Sequence, residues 1–248
     1  MVFLRSSREI ELIRRACRIV KLALLLAEEM VRPGVPTEEI DHALETFIRR
    51  AGGRPAFKGY RGYPAATCLS LNEVVVHGIP GSRRLEEGDI LGVDVGVEKE
   101  GYFGDGARTF PVGRGCEEAQ RLVQATREAF FKGVEAIYGE GSRVSDISSA
   151  IESHVRSYGF SAVRALCGHG IGAALHEDPE VPNYGPPGRG AKLEPGMVLA
   201  IEPMVNSGGY DVETLEDGWT VMTQDRRRSA HYENTVAVVP GGVEILSF

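Results

Sequence analysis

The segment CGHGIGAALHEDP, residues 167–179, holds the densest set of chemically useful side chains in the sequence. Three glycines surround His169, and an acidic pair and a proline follow His176. Two helical turns would separate the histidines and stack them on one face, but glycines at alternate positions disfavour a helix. Three interpretations remain open: two ligands of one metal, a nucleotide-binding loop, or a structural segment without chemistry.

Four carboxylates lie within or at the ends of apolar runs that predict buried strands. They are Asp94 in LGVDVGV, Asp105 between two glycines, Glu202 at the end of VLAIE, and Glu233 in AHYENTVAVV. Isolated carboxylates in strands are often satisfied by an arginine or a tyrosine, but four of them are harder to explain in that way. Four carboxylates and a histidine match a pair of hard or borderline divalent ions with an open position for water.

The segment from Glu98 to Gly101 predicts a hairpin turn that brings two of these carboxylates together. A Lys99-Glu100 loop places Asp94 directly opposite Asp105, and a three-residue loop shifts this pairing by one position. The two aspartates are expected to be neighbours in either register. Facing carboxylates are unfavourable, and a cation between them removes the cost. Alone, Asp105 also fits an exposed turn residue.

Two internal repeats indicate the elements that must position these residues. VPTEEIDHALETFIRRAG, from Val35, parallels SRVSDISSAIESHVRSYG, from Ser142, and LEEGDILGVDVG parallels LEPGMVLAIEPM, which aligns Asp94 with Glu202. Each half predicts two helices followed by strands, which indicates an α+β fold with antiparallel sheet and pseudo-two-fold symmetry. The predicted helices are 7–31, 37–51, 117–138 and 145–158. The predicted strands lie near 65–77, 90–98, 102–111, 161–166, 197–204, 219–224 and 230–239. We expect one domain, 1–248, with halves of roughly 1–112 and 113–248.

The composition excludes several classes of function. The 248 residues carry a net charge of -7, which argues against DNA and other non-specific nucleic-acid binding. The N-terminus lacks the apolar core of a signal peptide, and no apolar run is long enough to span a bilayer. The four scattered cysteines are typical of reduced thiols, so we expect a cytoplasmic protein without membrane contact.

Two rival interpretations concern the glycines and the remaining histidines. Gly168, Gly170 and Ala173 formally match a dinucleotide fingerprint, but Pro179 follows too soon for the required helix. His77 lies where a strand meets a turn, a place where a lone histidine is more often structural than catalytic. His231 lies two positions before Glu233 and therefore on the same strand face, where it could support the site from behind.

The sequence resembles type I methionine aminopeptidases across nearly its whole length. The resemblance rests on NEVVVHGIP (72–80), DVGVEKEGYFGDGART (94–109), CGHGIGAALHEDPEVPNYG (167–185), LEPGMVLAIEPM (193–204) and HYENT (231–235). It implies the pita-bread fold of two pseudo-symmetric halves with helices outside. It also implies a metallo-exopeptidase that removes the N-terminal methionine of nascent proteins when the second residue is small. The insert that marks type II, between His176 and Glu202, is absent.

The resemblance also implies a catalytic centre with two divalent ions, which could be Fe²⁺, Mn²⁺, Co²⁺ or Zn²⁺. Metal-bound hydroxide would attack the scissile carbonyl, with Glu202 accepting its proton, and the substrate α-amine would bind one ion. His176 would stabilise the oxyanion, and His77 would assist the leaving amine. The implied ligands are Asp94, Asp105, His169, Glu202 and Glu233, of which Asp105 and Glu233 would bridge the ions.

Further expectations from the resemblance concern substrate, cation and partners. The implied substrate-binding residues are Tyr60, Tyr63, Cys68, His77, His176 and Trp219, with departures from some relatives at Phe57 and Leu175. A monovalent cation would bind backbone near Asn72, Val74 and Ser229. We expect a monomer that acts on nascent polypeptide N-termini and associates transiently with the ribosome. Arg226–Arg228 is its candidate contact, although three arginines in a row are most often a solvated loop.

Three alternative functions compete with this interpretation. An X-Pro aminopeptidase or prolidase would share the fold and metal ligands but generally carries an additional N-terminal domain. A non-catalytic binding protein on the same fold would typically have lost ligands, whereas all five positions are filled here. A mononuclear iron oxygenase with two histidines and one carboxylate would leave three carboxylates without a role.

Overall fold

Four helices carry the amphipathic pattern of the sequence in the computed structural model, which describes residues 2–137 and 141–248. Helix α1 begins with a capping box, in which the Ser6 amide donates to the Glu9 carboxylate at 2.8 Å. Three helices agree with prediction to within one residue at each end. The third ends at Glu135, and position 138 of its predicted range lies outside the described residues. The helices are α1 (Ser7–Met30), α2 (Thr37–Arg50), α3 (Glu117–Glu135) and α4 (Val144–Ser157).

The strands are short, and the described residues contain seventeen of them. Those of the first half are β1 (Arg54–Pro55), β2 (Cys68–Leu71), β3 (Val74–Val76), β4 (Ile90–Asp94), β5 (Val97–Lys99), β6 (Tyr102–Gly104) and β7 (Gly106–Pro111). The others are β8 (Ser161–Ala162), β9 (Cys167–Gly170), β10 (Glu177–Pro182), β11 (Val198–Ile201), β12 (Met204–Asn206), β13 (Val212–Thr214), β14 (Val221–Thr223), β15 (Ser229–His231), β16 (Glu233–Val239) and β17 (Gly242–Ile245).

An eight-stranded antiparallel sheet forms the centre of the fold. Its order is β10-β9-β11-β16-β7-β4-β2. The eighth strand, β17, pairs with the later residues of β16, on the edge that faces away from β11. Four strands of the second half and three of the first meet at the β16–β7 pair, and β9-β11-β16 mirrors β2-β4-β7, which is the arrangement expected of a duplicated unit. Three-stranded sheets β1-β5-β6, β15-β12-β8 and β13-β14-β3 flank it. The α+β prediction is confirmed, whereas the division near residue 112 stays a prediction.

Two apolar clusters cover one face of the central sheet. Helices α1 and α2 pack on the first half, where they bury Leu91 and Val93, and α3 and α4 pack on the second, where they bury Leu199 and Ile201. Because side chains alternate along a strand, a residue next to these positions projects from the opposite face. The carboxylates that end β4 and follow β11 therefore point away from the helices.

The predicted hairpin register is wrong by two positions. The turn is Glu100-Gly101, whose φ angles of 55° and 80° suit a two-residue hairpin loop, and Lys99 pairs with Tyr102. Asp94 consequently pairs with Ala107 and not with Asp105. Asp105 instead lies in the break between β6 and β7, and its side chain reaches Asp94 from there.

Other strand predictions also differ in detail. The range 65–77 is divided into β2 and β3 by Asn72, whose φ is 51°. The range 161–166 contains only β8, because its second half continues as an irregular connection. The glycine-rich strand β9 and its neighbour β10 were not predicted. No helix within 2–137 or 141–248 has the length and apolar content needed to cross a membrane.

Candidate metal centre

Five neighbouring strands of the central sheet supply the acidic cluster and one histidine. His169 lies in β9, Glu202 follows β11, Glu233 begins β16, Asp105 precedes β7, and Asp94 ends β4. Residues distant in sequence therefore converge on one face of the sheet.

The glycines around His169 allow β9 to fit between its two neighbours. A Cβ atom at Gly168 would lie 2.3 Å from the Ala200 carbonyl oxygen, and one at Gly170 would lie 2.1 Å from that of Asp178. Both distances are far below van der Waals contact, so only glycine fits at these positions. The alternate glycines of the motif thus belong to a tightly packed strand, which excludes the nucleotide-loop interpretation.

The ligand-type atoms lie close together. Atoms of Asp105, His169 and Glu233 are all within 4.8 Å of one another, and His169 Nε2 lies 3.5 Å from Glu202 Oε1. Asp94 and Asp105 line the same cavity, and the Asp94 carboxylate raises the pKa of Asp105. The expected proximity of the two aspartates is therefore present despite the different hairpin register.

The raised pKa values of the four carboxyl groups indicate that a cation would stabilise their charged forms. Burial raises the pKa of Asp94 to about 7, and burial with neighbouring carboxylates raises the pKa of Asp105, Glu202 and Glu233 well above the ordinary range. Oδ1 of Asp94 and Oε1 of Glu233 are buried and have no hydrogen-bond donor among the described residues. Divalent ions would compensate this negative charge and occupy these oxygens.

His169 has the form that a metal ligand requires. Its Nδ1 lies 2.9 Å from the Gly170 carbonyl oxygen, and because a carbonyl only accepts, Nδ1 carries the hydrogen. The Nε2 lone pair therefore faces the carboxylates. Burial lowers the pKa of His169 to about 4, which keeps the ring neutral at physiological pH.

All eleven residues that the sequence nominated line one cavity of about 160 Å³. Its apolar side includes Tyr63 and Trp219, whose ring centroids lie 5.2 Å apart in an edge-on arrangement, and the buried Cys68. Burial raises the pKa of the Cys68 thiol, so Cys68 is an uncharged wall residue. Phe57 also lines the cavity, whereas Leu175 lies in the core behind it.

Two further histidines, His77 and His176, line the same cavity as the acidic cluster. His176 lies against His169, with ring centroids 4.3 Å apart, and its Nδ1 is 2.8 Å from the Tyr60 hydroxyl. His77 adopts a left-handed conformation, φ 59°, and its ring lies 6.2 Å from that of Trp219. Burial lowers its pKa, so His77 is neutral.

Sequence reasoning missed or underrated two residues. Arg61 lines the cavity and stacks over the Tyr60 ring at 5.3 Å, but a single exposed arginine gives no sequence signal. His231 is buried, and its Nε2 lies 3.7 Å from Glu202 and 3.9 Å from Glu233. Its spacing of two from Glu233 was the available signal.

The expected monovalent-cation residues are also neighbours. The Ser229 amide donates to the Asn72 carbonyl oxygen at 2.8 Å, and Val74 begins the adjacent strand β3. This proximity involves backbone groups only, so the cation stays a prediction.

Comparison with known proteins gives the family. The model of metallopeptidase family M24 matches residues 11–240. A methionine aminopeptidase of Clostridium perfringens is 54% identical over 247 residues, covering 100% of this chain and 99% of that protein. The solved methionine aminopeptidase of Thermotoga maritima is 42% identical with a TM-score of 0.97, covering 100% and 99% of the two chains.

The prolidase of Pyrococcus furiosus has the same fold with a TM-score of 0.80 and 25% identity. This chain is covered to 99% in that comparison but spans only 65% of the prolidase. The matches over full length confirm the resemblance to type I methionine aminopeptidases and the pita-bread fold. The chain therefore belongs to metallopeptidase family M24.

Proposed function

We propose that this chain is a methionine aminopeptidase, which removes the N-terminal methionine of nascent polypeptides when the second residue is small. The observation that carries the proposal is a single cavity with two unlike walls. One wall is the acidic cluster with His169, and the other is formed by aromatic rings and the Cys68 thiol. A thioether side chain packs well against such a wall.

Membership of a metallopeptidase family implies divalent metal, and the donor set fits it. Two ions of Fe²⁺, Mn²⁺, Co²⁺ or Zn²⁺ would be held by Asp94, Asp105, His169, Glu202 and Glu233, with Asp105 and Glu233 shared between them. When bound, such ions lower the pKa of a coordinated water to about 7 and so supply hydroxide near neutral pH.

The remaining groups handle protons and developing charge. Glu202 accepts the proton that the attacking water loses. With the Tyr60 hydroxyl donating to Nδ1 of His176, the ring hydrogen resides on Nε2, which donates to the scissile carbonyl oxygen as it becomes an oxyanion. His77, on the methionine side, contacts the amide nitrogen and assists departure of the amine.

The substrate pocket fits one side chain beside the proposed metal centre. The cavity of about 160 Å³ accommodates one side chain of moderate size. Trp219 and Tyr63 form its aromatic wall, and the Tyr63 hydroxyl donates to the Gly78 carbonyl at 2.9 Å, which fixes the ring. A rigid wall of this kind favours an unbranched apolar side chain.

Peptide cleavage with metal analysis tests the function. We expect release of methionine from Met-Ala-Ser, no cleavage of Ala-Pro-Ser, loss of activity with chelator and recovery with Mn²⁺. Glu202→Ala should abolish turnover, whereas Glu194→Ala, which removes an exposed carboxylate before the other end of β11, should not. Preference for the X-Pro peptide would establish a prolidase-type activity. A protein that binds no metal and cleaves neither peptide would be a binding module.

The proposed setting is the cytoplasm, at the ribosome, with the protein as a monomer. Arg226 forms an ion pair with Glu213, so the basic run is partly engaged within the chain. Replacing Arg226–Arg228 by serine should reduce co-sedimentation with ribosomes while leaving Met-Ala-Ser cleavage intact. Unchanged co-sedimentation would remove this segment as the contact.

A further inference from the structure

An N-terminal arm, defined as Val2–Ser6, precedes helix α1 and lies beside strand β10. Val2 forms a parallel bridge with Asp178 in β10. The Arg5 amide donates to the Gly196 carbonyl oxygen at 2.7 Å. The arm is therefore fixed at both ends to the second half of the fold.

Arg5 forms a buried ion pair with the residue that follows His176. Its side chain is 8% exposed, that of its partner Glu177 is 7% exposed, and Nη2 contacts Oε2. Breaking a buried pair leaves an uncompensated charge, so the pair constrains both segments strongly. The Arg5 Nε atom is also buried, without an acceptor in the described part of the chain.

The two side chains lie inside the loop that carries His176. This His176 loop, Ile171–His176, joins β9 to β10. A Cβ atom at Gly172 would lie 2.6 Å from the Arg5 guanidinium, so the guanidinium occupies the space that a side chain would need. The other oxygen of Glu177 accepts from the Ala174 amide at 2.9 Å. The ion pair thus holds the loop from within.

We propose that Arg5 is a positioning residue, which acts through Glu177 to hold the His176 loop in the orientation that the reaction needs. The inference rests on the proposed function, in which His176 stabilises the oxyanion. In the held orientation the His176 ring lies against His169 and accepts from Tyr60. Loss of the Arg5–Glu177 pair lets the His176 loop shift, so the His176 ring leaves the position from which its Nε2 donates to the scissile carbonyl oxygen.

The first test removes the pair without leaving a buried charge. The double variant Arg5→Met/Glu177→Met should lower kcat for Met-Ala-Ser about tenfold. A displacement of the catalytic group by about 1 Å can cost roughly a hundredfold, and we expect the His176 ring to move by less than that. KM should change less than twofold. The single variant Arg5→Lys keeps both Glu177 and a cation at position 5, so it should retain most of the original kcat. Arg14→Met, which breaks the partly exposed ion pair between α1 and Glu244 of β17, is the control and should not change kcat.

The decisive comparison repeats the double substitution in a His176→Ala background. If Arg5 acts through His176, the tenfold loss should shrink to less than twofold, because the group being positioned is gone. An equal loss in both backgrounds would mean general damage and would overturn the proposal. So would an unchanged kcat in the presence of His176.

A readout independent of catalysis separates this inference from the proposed function. Amide hydrogen exchange in residues 171–177 should be faster in the double variant than in the original protein and unchanged in Arg14→Met. Unchanged exchange would overturn the proposal even if the protein cleaved no peptide.

Discussion

Removing divalent metal should make the stability of this protein fall with pH above neutrality. The raised pKa values of Asp94, Asp105, Glu202 and Glu233 mean that the metal-free native state holds protons on these groups. The unfolded chain releases the same protons near pH 4. Stability from these groups is therefore fully present below about pH 4 and is lost as pH rises through the raised values.

The buried histidines act in the opposite direction, but only below neutrality. Burial lowers the pKa of His169 to about 4 and that of His231 to about 3, whereas the unfolded rings titrate near pH 6.5. Their contribution increases as pH rises to about 6.5 and is then constant. Above about pH 7 the carboxyl groups set the slope, and the buried Cys17 and Cys68 thiols, whose pKa values are raised, add to it in the same direction near pH 8.5. Each carboxyl group that is still protonated in the native state lowers the free energy of unfolding by roughly 1.4 kcal/mol per pH unit. If two of the four groups are protonated, the loss is about 3 kcal/mol per pH unit, against a typical free energy of unfolding of about 5–15 kcal/mol.

Urea unfolding at about pH 6.5, 7.5 and 8.5 measures this slope after dialysis against chelator. Saturating Mn²⁺ should remove most of the pH dependence and add about 2.7 kcal/mol at a hundredfold excess over Kd. Glu202→Gln should flatten the metal-free slope by one titrating group, and exposed Glu194→Gln should leave it unchanged. Metal-free stability that stays constant or rises from about pH 7 to 8.5 would refute the reasoning.

Three further predictions concern single side chains. Tyr60→Phe removes the hydroxyl 2.8 Å from His176 and should lower kcat for Met-Ala-Ser about tenfold with little change in KM; an unchanged kcat would contradict the tautomer assignment. Gly170→Ala should destabilise the protein by roughly 2–3 kcal/mol in thermal unfolding, because its Cβ would lie 2.1 Å from a carbonyl oxygen. Gly81→Ala, with open space around it, is the control. Trp219→Ala should raise KM for Met-Ala-Ser about tenfold by removing the aromatic wall, and an equal KM would exclude that wall from binding.

Local pattern predicted the helices because the helices follow local rules. Apolar residues at helical spacing gave three of them to within one residue, and the stop at Glu135 is the only large difference at an end. The repeat that aligned Asp94 with Glu202 indicated a shared centre, and the structure places both beside the same cavity.

Strands were less predictable where their partners are distant in sequence. Strand β9 contains Gly168 and Gly170, which lower strand propensity, and its formation depends on β10 and β11. The available signal was the pair of alternate glycines, because glycine at every second position lets neighbouring backbone approach one face of a strand. The hairpin register failed because Glu100, a residue without β-branching, adopts the left-handed φ that a two-residue turn requires.

Contacts between remote charged residues leave no trace in a single sequence. Arg5 and Glu177 lie in segments with no shared pattern, and nothing in the sequence pairs Glu177, the first of the two acidic residues after His176, with Arg5. Burial alone distinguishes their pair from the exposed ion pairs of the surface. The requirement for glycine at position 172 becomes intelligible only once the guanidinium is seen above it.

The convergence of five strands on one face has a consequence for biosynthesis. The proposed ligands extend from Asp94 to Glu233, and each half of the fold supplies some of them. A growing chain therefore has no complete metal centre until β16 has been made and has paired with β7. Metal uptake would then be a late event that cross-links the two halves. A partly synthesised copy of the chain would therefore be inactive toward other nascent polypeptides. Occupancy of the site would report that the two halves have assembled.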